Sequence, residues 1–192
     1  MVKLTIDGIQ VEAEKGTSIL HAAESVGIEV PTLCYIKDLL PDGSCRMCMV
    51  EIESRGRTKM ETACTAQVAE GLVVTTNSEK VRNARRNILD MLLSNHKTDC
   101  FSCPSNGDCK LQELCFEYGI ERTTYSGEQT ELPIDDSNKF FTYNPNLCIL
   151  CHRCVNTCHK IVGRGAIDTM ERGFDSAIGT PFHIDWADTN CE

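Results

Sequence analysis

Nothing in this sequence runs apolar for the ~20 residues that a helix needs to cross a bilayer, so no membrane insertion is expected. The opening residues, Met1-Val-Lys-Leu-Thr-Ile-Asp-Gly, alternate and then turn, where a secretory leader would carry an apolar core and a cleavage site. Also missing are a Walker loop, a G-x-G-x-x-G turn and a Ser-His-Asp arrangement. The residues therefore offer nothing that would hold a nucleotide or act on a substrate. Positive charge is in short supply: 19 Lys and Arg face 28 Asp and Glu, a net charge of −9 that phosphates would repel, which argues against a nucleic-acid partner. What abounds is cysteine, 13 in 192 residues and an odd number. A cytoplasmic location is expected, and there thiols stay reduced, so paired Cys-x-x-Cys spacings point to metal rather than to disulfides.

The length suffices for one or two domains with a sizeable core. Residues 2–13 read as a β-hairpin, with Val2, Leu4 and Ile6 alternating, Asp7-Gly8 as the turn, and Ile9, Val11 and Ala13 resuming the alternation. Thr17 is placed to cap a helix over about 18–26, with Ile19, Leu20, Ala23 and Val26 on one face and Gly27 ending it. Residues 47–53 and 72–76 read as further strands. Ser78 is placed to cap a second helix, 79–94, with Val81, Ala84, Ile88 and Leu92 at helical spacing. Its other side carries Lys80, Arg82, Arg85 and Arg86, expected as a solvated face, with a docking face as the alternative. A third helix over about 109–118 puts Leu111, Leu114, Cys115 and Tyr118 on one stripe, and Gly119 stops it. Residues 123–138 are polar and acidic and read as a linker, and 139–192 form a short, cysteine-dense segment with little apolar content.

Four groups of soft ligands punctuate this outline. Cys34, Cys45, Cys48 and Cys64 form C-x10-C-x2-C-x15-C, with Pro41, Gly43 and Ser44 supplying a loop able to turn N–H groups toward sulfur. His96, Cys100, Cys103 and Cys109 follow as H-x3-C-x2-C-x5-C. Either set could bind a tetrahedral zinc or an iron–sulfur cluster. Cys148, Cys151, Cys154 and Cys158 make C-x2-C-x2-C-x3-C, the run of bacterial ferredoxins, in which the fourth cysteine ligates the other cluster of a pair. Position 159 is His where Pro is usual, and the partner run begins at Cys191 and goes no further before Glu192, so a fragment of a longer polypeptide is expected. Cys115 reads as a buried non-ligand. His21 and His183 read as surface or satisfied residues, and His152 and His159 as neighbours able to tune a site or simply face solvent.

Taken in order, these patterns resemble the N-terminal iron–sulfur relay region shared by iron-only hydrogenases, the complex I G subunit and the α-subunits of NAD(P)-linked formate dehydrogenases. The long first loop, ten residues where plant-type ferredoxins have four, and the ungapped histidine motif carry the likeness. The resemblance implies an α+β fold in four parts. A β-grasp [2Fe–2S] domain spans 1–78 and a helical histidine-ligated [4Fe–4S] domain spans 79–122. The linker 123–138 leads to an incomplete bacterial ferredoxin-like domain, 139–192. It implies one [2Fe–2S] cluster on the first set and a [4Fe–4S] cluster on the second. A second [4Fe–4S] cluster falls to Cys148, Cys151 and Cys154, and a further one is begun by Cys158 and Cys191. The implied partners are a flavin subunit that handles NAD(P)H, a catalytic domain or subunit, and in some relatives ferredoxin. The presence of Cys158 favours the two-cluster arrangement of hydrogenases or formate dehydrogenases, and the stretch from Arg172 to Glu192 leans toward the formate dehydrogenase type, with hydrogenase or a complex I-like subunit as the alternative. From other classes, a stand-alone ferredoxin-like carrier and a zinc-stabilised scaffold remain open.

Overall fold

The alternation at the start of the chain becomes two antiparallel strands in the computed structural model, which describes residues 1–191. β1 (Val2–Ile6) pairs with β2 (Ile9–Ala13) across a turn in which Asp7 and Gly8 both take positive φ, the geometry that a two-residue hairpin requires. Leu4, Ile6, Val11 and Ala13 point inward. α1 (Ile19–Glu24) follows, burying Ile19, Leu20, Ala22 and Ala23. Its cap is Ser18 rather than Thr17, the Ser18 hydroxyl accepting the His21 N–H at 3.3 Å.

β3 (Met49–Ser54), β4 (Arg57–Thr62) and β5 (Leu72–Thr75) complete a mixed five-stranded sheet in the order β2-β1-β5-β3-β4, with β1 and β5 parallel. Val50, Ile52 and Val74 join the hairpin residues and α1 in one core, and Cys48 and Cys64 are part of it. The segments bearing Cys48 and Cys64 are thus anchored by the sheet's own apolar packing.

α2 (Glu79–Ser94) starts where expected, the Ser78 hydroxyl accepting the Val81 N–H at 3.2 Å. Its buried line is not the expected one. Val81, Arg85, Leu89 and Leu93 are buried, whereas Ala84, Ile88 and Leu92 are half-buried. Arg85 therefore sits inside the apolar stripe instead of on a solvated face. α3 (Lys110–Glu117) buries Leu111, Leu114 and Cys115, and Gly119 (φ 65°) turns the chain out of it.

By packing the chain forms two units, one of Met1–Asp90 with Pro104–Glu121 and another of Met91–Cys103 with Arg122–Glu192. This partition differs from the one drawn by ligand spacing, which groups residues by cofactor rather than by core. In the second unit the polar segment 123–138 is hydrogen-bonded along its length. Thr130 exchanges bonds with the Asn95 side chain (2.8 and 3.1 Å), Leu132 with that of Asn146 (2.9 Å each way), and Asp135 bridges to Tyr143. The rest is short elements: α4 (Arg153–Asn156), a π-helical turn over Thr157–Val162, and a hairpin of β6 (Asp168–Met170) with β7 (Ala177–Gly179). Cys158, Ala166, Ile167, Ile178 and Trp186 make its small core, with Tyr143 tilted against Trp186 at 4.7 Å between ring centres. Among the described residues, no helix is long and apolar enough to cross a membrane.

Candidate metal centres

The first four cysteines converge as two pairs. Cys48 and Cys64 share a hydrogen bond between sulfurs 3.3 Å apart, and Cys34 and Cys45 are likewise bonded through their side chains. The two pairs also lie close enough to repel one another as thiolates. Two sulfurs on one tetrahedral metal at about 2.3 Å stand roughly 3.8 Å apart, so the Cys48 and Cys64 sulfurs, 3.3 Å apart, lie a little closer than one shared ion would hold them. Among the described residues no three of His, Cys, Asp and Glu gather around a single-ion position. The grouping by twos is what a two-metal cluster uses.

In each pair one thiol is lowered and its partner raised. Cys34 is held well below the ordinary thiol pKa, chiefly by its bond from Cys45 and further by N–H groups of Ser44 and Cys45 aimed at its sulfur. Cys45 is pushed up because it supplies that proton and because it is buried. The same division holds in the other pair, Cys48 lowered and Cys64 raised. Gly43 (φ 65°) is a loop position that favours glycine, since a Cβ there would press on the Thr65 methyl at 3.1 Å. Removing that side chain lets the loop bearing Cys45 close onto the turn bearing Cys64.

The second set divides between the packing units: His96, Cys100 and Cys103 fall in one, Cys109 in the other. Burial lowers the His96 pKa and so keeps the ring neutral, and its Nδ1 is buried without a hydrogen-bond partner. A neutral imidazole with an unused nitrogen is the form that ligates metal. The chain around it is a series of tight turns, the Cys103 N–H donating to the Cys100 carbonyl at 3.2 Å. Cys109 sits at the N-terminus of α3, where its side chain makes no cap. Cys115 is buried six residues further along the chain, as expected of a residue packed on its helix stripe.

In the second unit, Cys148, Cys151 and Cys154 lie within electrostatic reach of one another, and burial pushes up the Cys148 thiol. Leu150 (φ 53°) and His152 (φ 58°) take left-handed backbone between them, and the Leu150 N–H points back to the Cys148 sulfur at 3.4 Å. Cys158 is buried in the small core and its sulfur accepts the Ala166 N–H at 3.2 Å, while Cys191 packs against the same core. His159 is anchored, its Nε2 lying 2.9 Å from the Ile167 carbonyl and 3.5 Å from Asp168. His152 contacts Thr169 (3.3 Å), His183 contacts Glu171 (3.3 Å), and His21 is bonded to the Tyr35 hydroxyl.

Residues 1–79 match the family described as 2Fe-2S iron-sulfur cluster binding domain, and residues 85–124 match the NADH-ubiquinone oxidoreductase-G iron-sulfur binding region. Over 180 residues the chain is 42% identical to the G 2 subunit of NADH-quinone oxidoreductase from Rhizobium meliloti (strain 1021), covering 93% of this chain and 21% of that protein. Over 192 residues it is 41% identical to NADPH-Fe(3+) oxidoreductase subunit alpha of Geobacter sulfurreducens (strain DL-1 / KN400), covering 100% and 22%. The chain thus spans about a fifth of the length of these curated relatives. The crystal structure of an NAD+-reducing [NiFe]-hydrogenase in the H2-reduced state superposes on all of this chain with a TM-score of 0.90 at 30% identity, and 80% of that chain is covered.

Proposed function

Because the chain belongs to the family of iron–sulfur regions shared by complex I G subunits, NAD-reducing hydrogenases and NADPH-Fe(3+) oxidoreductases, we propose that it is an electron-relay module of an NAD(P)-linked oxidoreductase. The observation that carries the reading is the pairing of Cys34 with Cys45 and Cys48 with Cys64 inside the domain that matches the 2Fe-2S family. These four would hold a [2Fe–2S] cluster, each pair on one iron, on a sheet of β-grasp type. His96, Cys100, Cys103 and Cys109 would hold a [4Fe–4S] cluster, as their spacing and the match over residues 85–124 support. Cys148, Cys151 and Cys154 would contribute to a second [4Fe–4S] cluster in a bacterial ferredoxin-like segment. Cys158 and Cys191 would begin the ligand set of another. When bound, such clusters take up and release single electrons. The chain's own part is to fix the sulfurs, exclude water around Cys48 and Cys64, and set the local charge.

The relatives shift the assignment of the parent enzyme. The stretch from Arg172 to Cys191 raised the expectation of a formate dehydrogenase α-subunit. The alternative, a complex I-like or hydrogenase relay, is the better supported, since the matched relatives carry those names. The partners we propose are accordingly a flavin subunit handling NAD(P)H and a separate catalytic centre, in the cytoplasm, with ferredoxin as a further partner.

The test is iron, acid-labile sulfide and zinc on anaerobically purified protein. About ten irons per chain with equal sulfide are expected from one [2Fe–2S] and two [4Fe–4S] clusters, and about six would confine the relay to the first two. Zinc without sulfide would overturn the electron-transfer reading.

A further inference from the structure

Arg85 is 3% exposed and lies in the apolar stripe of α2, one turn from Val81 and one from Leu89, both fully buried. Its Nη1 donates to the Tyr118 hydroxyl at 2.9 Å and its Nη2 to the Met49 carbonyl at 2.7 Å, while its Nε is buried without a partner. None of the ion pairs among the described residues includes it. Glu51, two residues further along β3, is engaged by the Ser78 hydroxyl and by Lys80 at 3.4 Å. A guanidinium is always charged, and burying one without a counter-charge is costly. Both of its acceptors are neutral. Met49, however, directly follows Cys48, whose thiol belongs to the first pair-wise cysteine site.

We propose that Arg85 is the counter-charge of the first cluster and a positioning residue for its redox chemistry. The proposal rests on the assignment of that site to a [2Fe–2S] cluster. Two ferric ions, two sulfides and four thiolates leave two net negative charges, and uptake of one electron, with no bond broken and no proton moved, leaves three. A fixed positive charge at the carbonyl of Met49, the residue after Cys48, stabilises the more negative form more strongly, and its burial keeps water from screening it. Tyr118 and the Met49 carbonyl aim the guanidinium, and Arg82 and Arg86 in turn hold Tyr118, one over its ring at 5.8 Å and the other at its carbonyl.

The test is an EPR-monitored redox titration of the anaerobic holoprotein, comparing wild type with R85M and R85K. R85M is expected to retain the [2Fe–2S] signal while its reduction equilibrium shifts at least tenfold toward the oxidised form, a fall of about 59 mV for one electron. R85K, which keeps the charge, is expected to stay within threefold of wild type. A retained [2Fe–2S] signal with a wild-type midpoint in R85M would overturn the proposal. Should R85M fail to incorporate the cluster, R85K decides: a cluster with a wild-type midpoint supports the charge, and loss in R85K as well shows that shape was required and overturns it. Absence of a [2Fe–2S] signal from wild type would instead remove the assignment on which the proposal rests.

Discussion

The two ends of this chain hold cysteines in opposite ways. In the sheet unit, Cys48 and Cys64 are fully buried in an apolar core shared with Leu4, Ile6, Val50 and Val74, so apolar packing surrounds these sulfurs. In the second unit only Cys158 of the cysteines from 148 onward is buried, Cys148, Cys151 and Cys191 are half-buried and Cys154 is exposed, and what holds them is a series of turns around a five-residue core that includes Cys158. Packing fixes the first site in advance. The second site has too little buried apolar surface to do so, and bound metal would supply the missing folding energy.

The largest expected break in that comparison comes from removing iron. On chelation, amide hydrogen exchange in residues 139–191 is expected to lose its protection while β1, β3 and β5 keep theirs; equal loss in both would contradict the contrast. Next in size are core truncations. Leu4→Ala should cost about 2–5 kcal/mol in the sheet unit's unfolding, measured in denaturant, with iron bound or removed. Ile178→Ala should affect the second unit only while its iron is present, because so small a core is expected to come apart once the iron is removed.

Acid sharpens the comparison more gently. Each unit carries a carboxylate whose pKa is lowered on folding: Glu51, mainly by the Ser78 hydroxyl and then by Lys80, and Asp135, mainly by Ser137. A lowered pKa means that the folded state favours the ionised form. The contribution is therefore full above the unfolded-state value, about 3.9 for Asp and 4.3 for Glu, and is lost as pH falls through the folded value. Glu51→Gln and Asp135→Asn should each be less stable than wild type at pH 7, with the gap closing below about pH 4 in thermal melts. The smallest effect is expected at Cys115→Ala, which should leave every cluster signal intact; loss of any would show that Cys115 is a ligand.

The sequence made some of this plain and concealed the rest for physical reasons. The hairpin 2–13 was legible because Asp7-Gly8 is a turn chemistry with few alternatives, and the extent of α2, though not its buried face, because Ser78 caps it and apolar residues recur at helical spacing. β4 was not. Arg57-Thr-Lys-Met-Glu-Thr is a polar edge strand without alternating apolar residues, and its turn uses Arg55 at positive φ. β6 and β7 are three residues each, too short for any period to show. Segment 123–138 read as a linker because composition does not reveal bonds to Asn95, Asn146 and Tyr143. Arg85 was placed on a solvated face because its partner Tyr118 lies 33 residues away. The cysteine and histidine groups were visible as spacing; the pairing of 34 with 45 and 48 with 64 came only from the fold.

The relay itself is tested most directly by reducing the anaerobic wild-type protein stepwise and following EPR at each potential. The account predicts separate [2Fe–2S] and [4Fe–4S] signals, each taking up one electron at its own midpoint. A colourless protein that stays EPR-silent throughout the titration would contradict it.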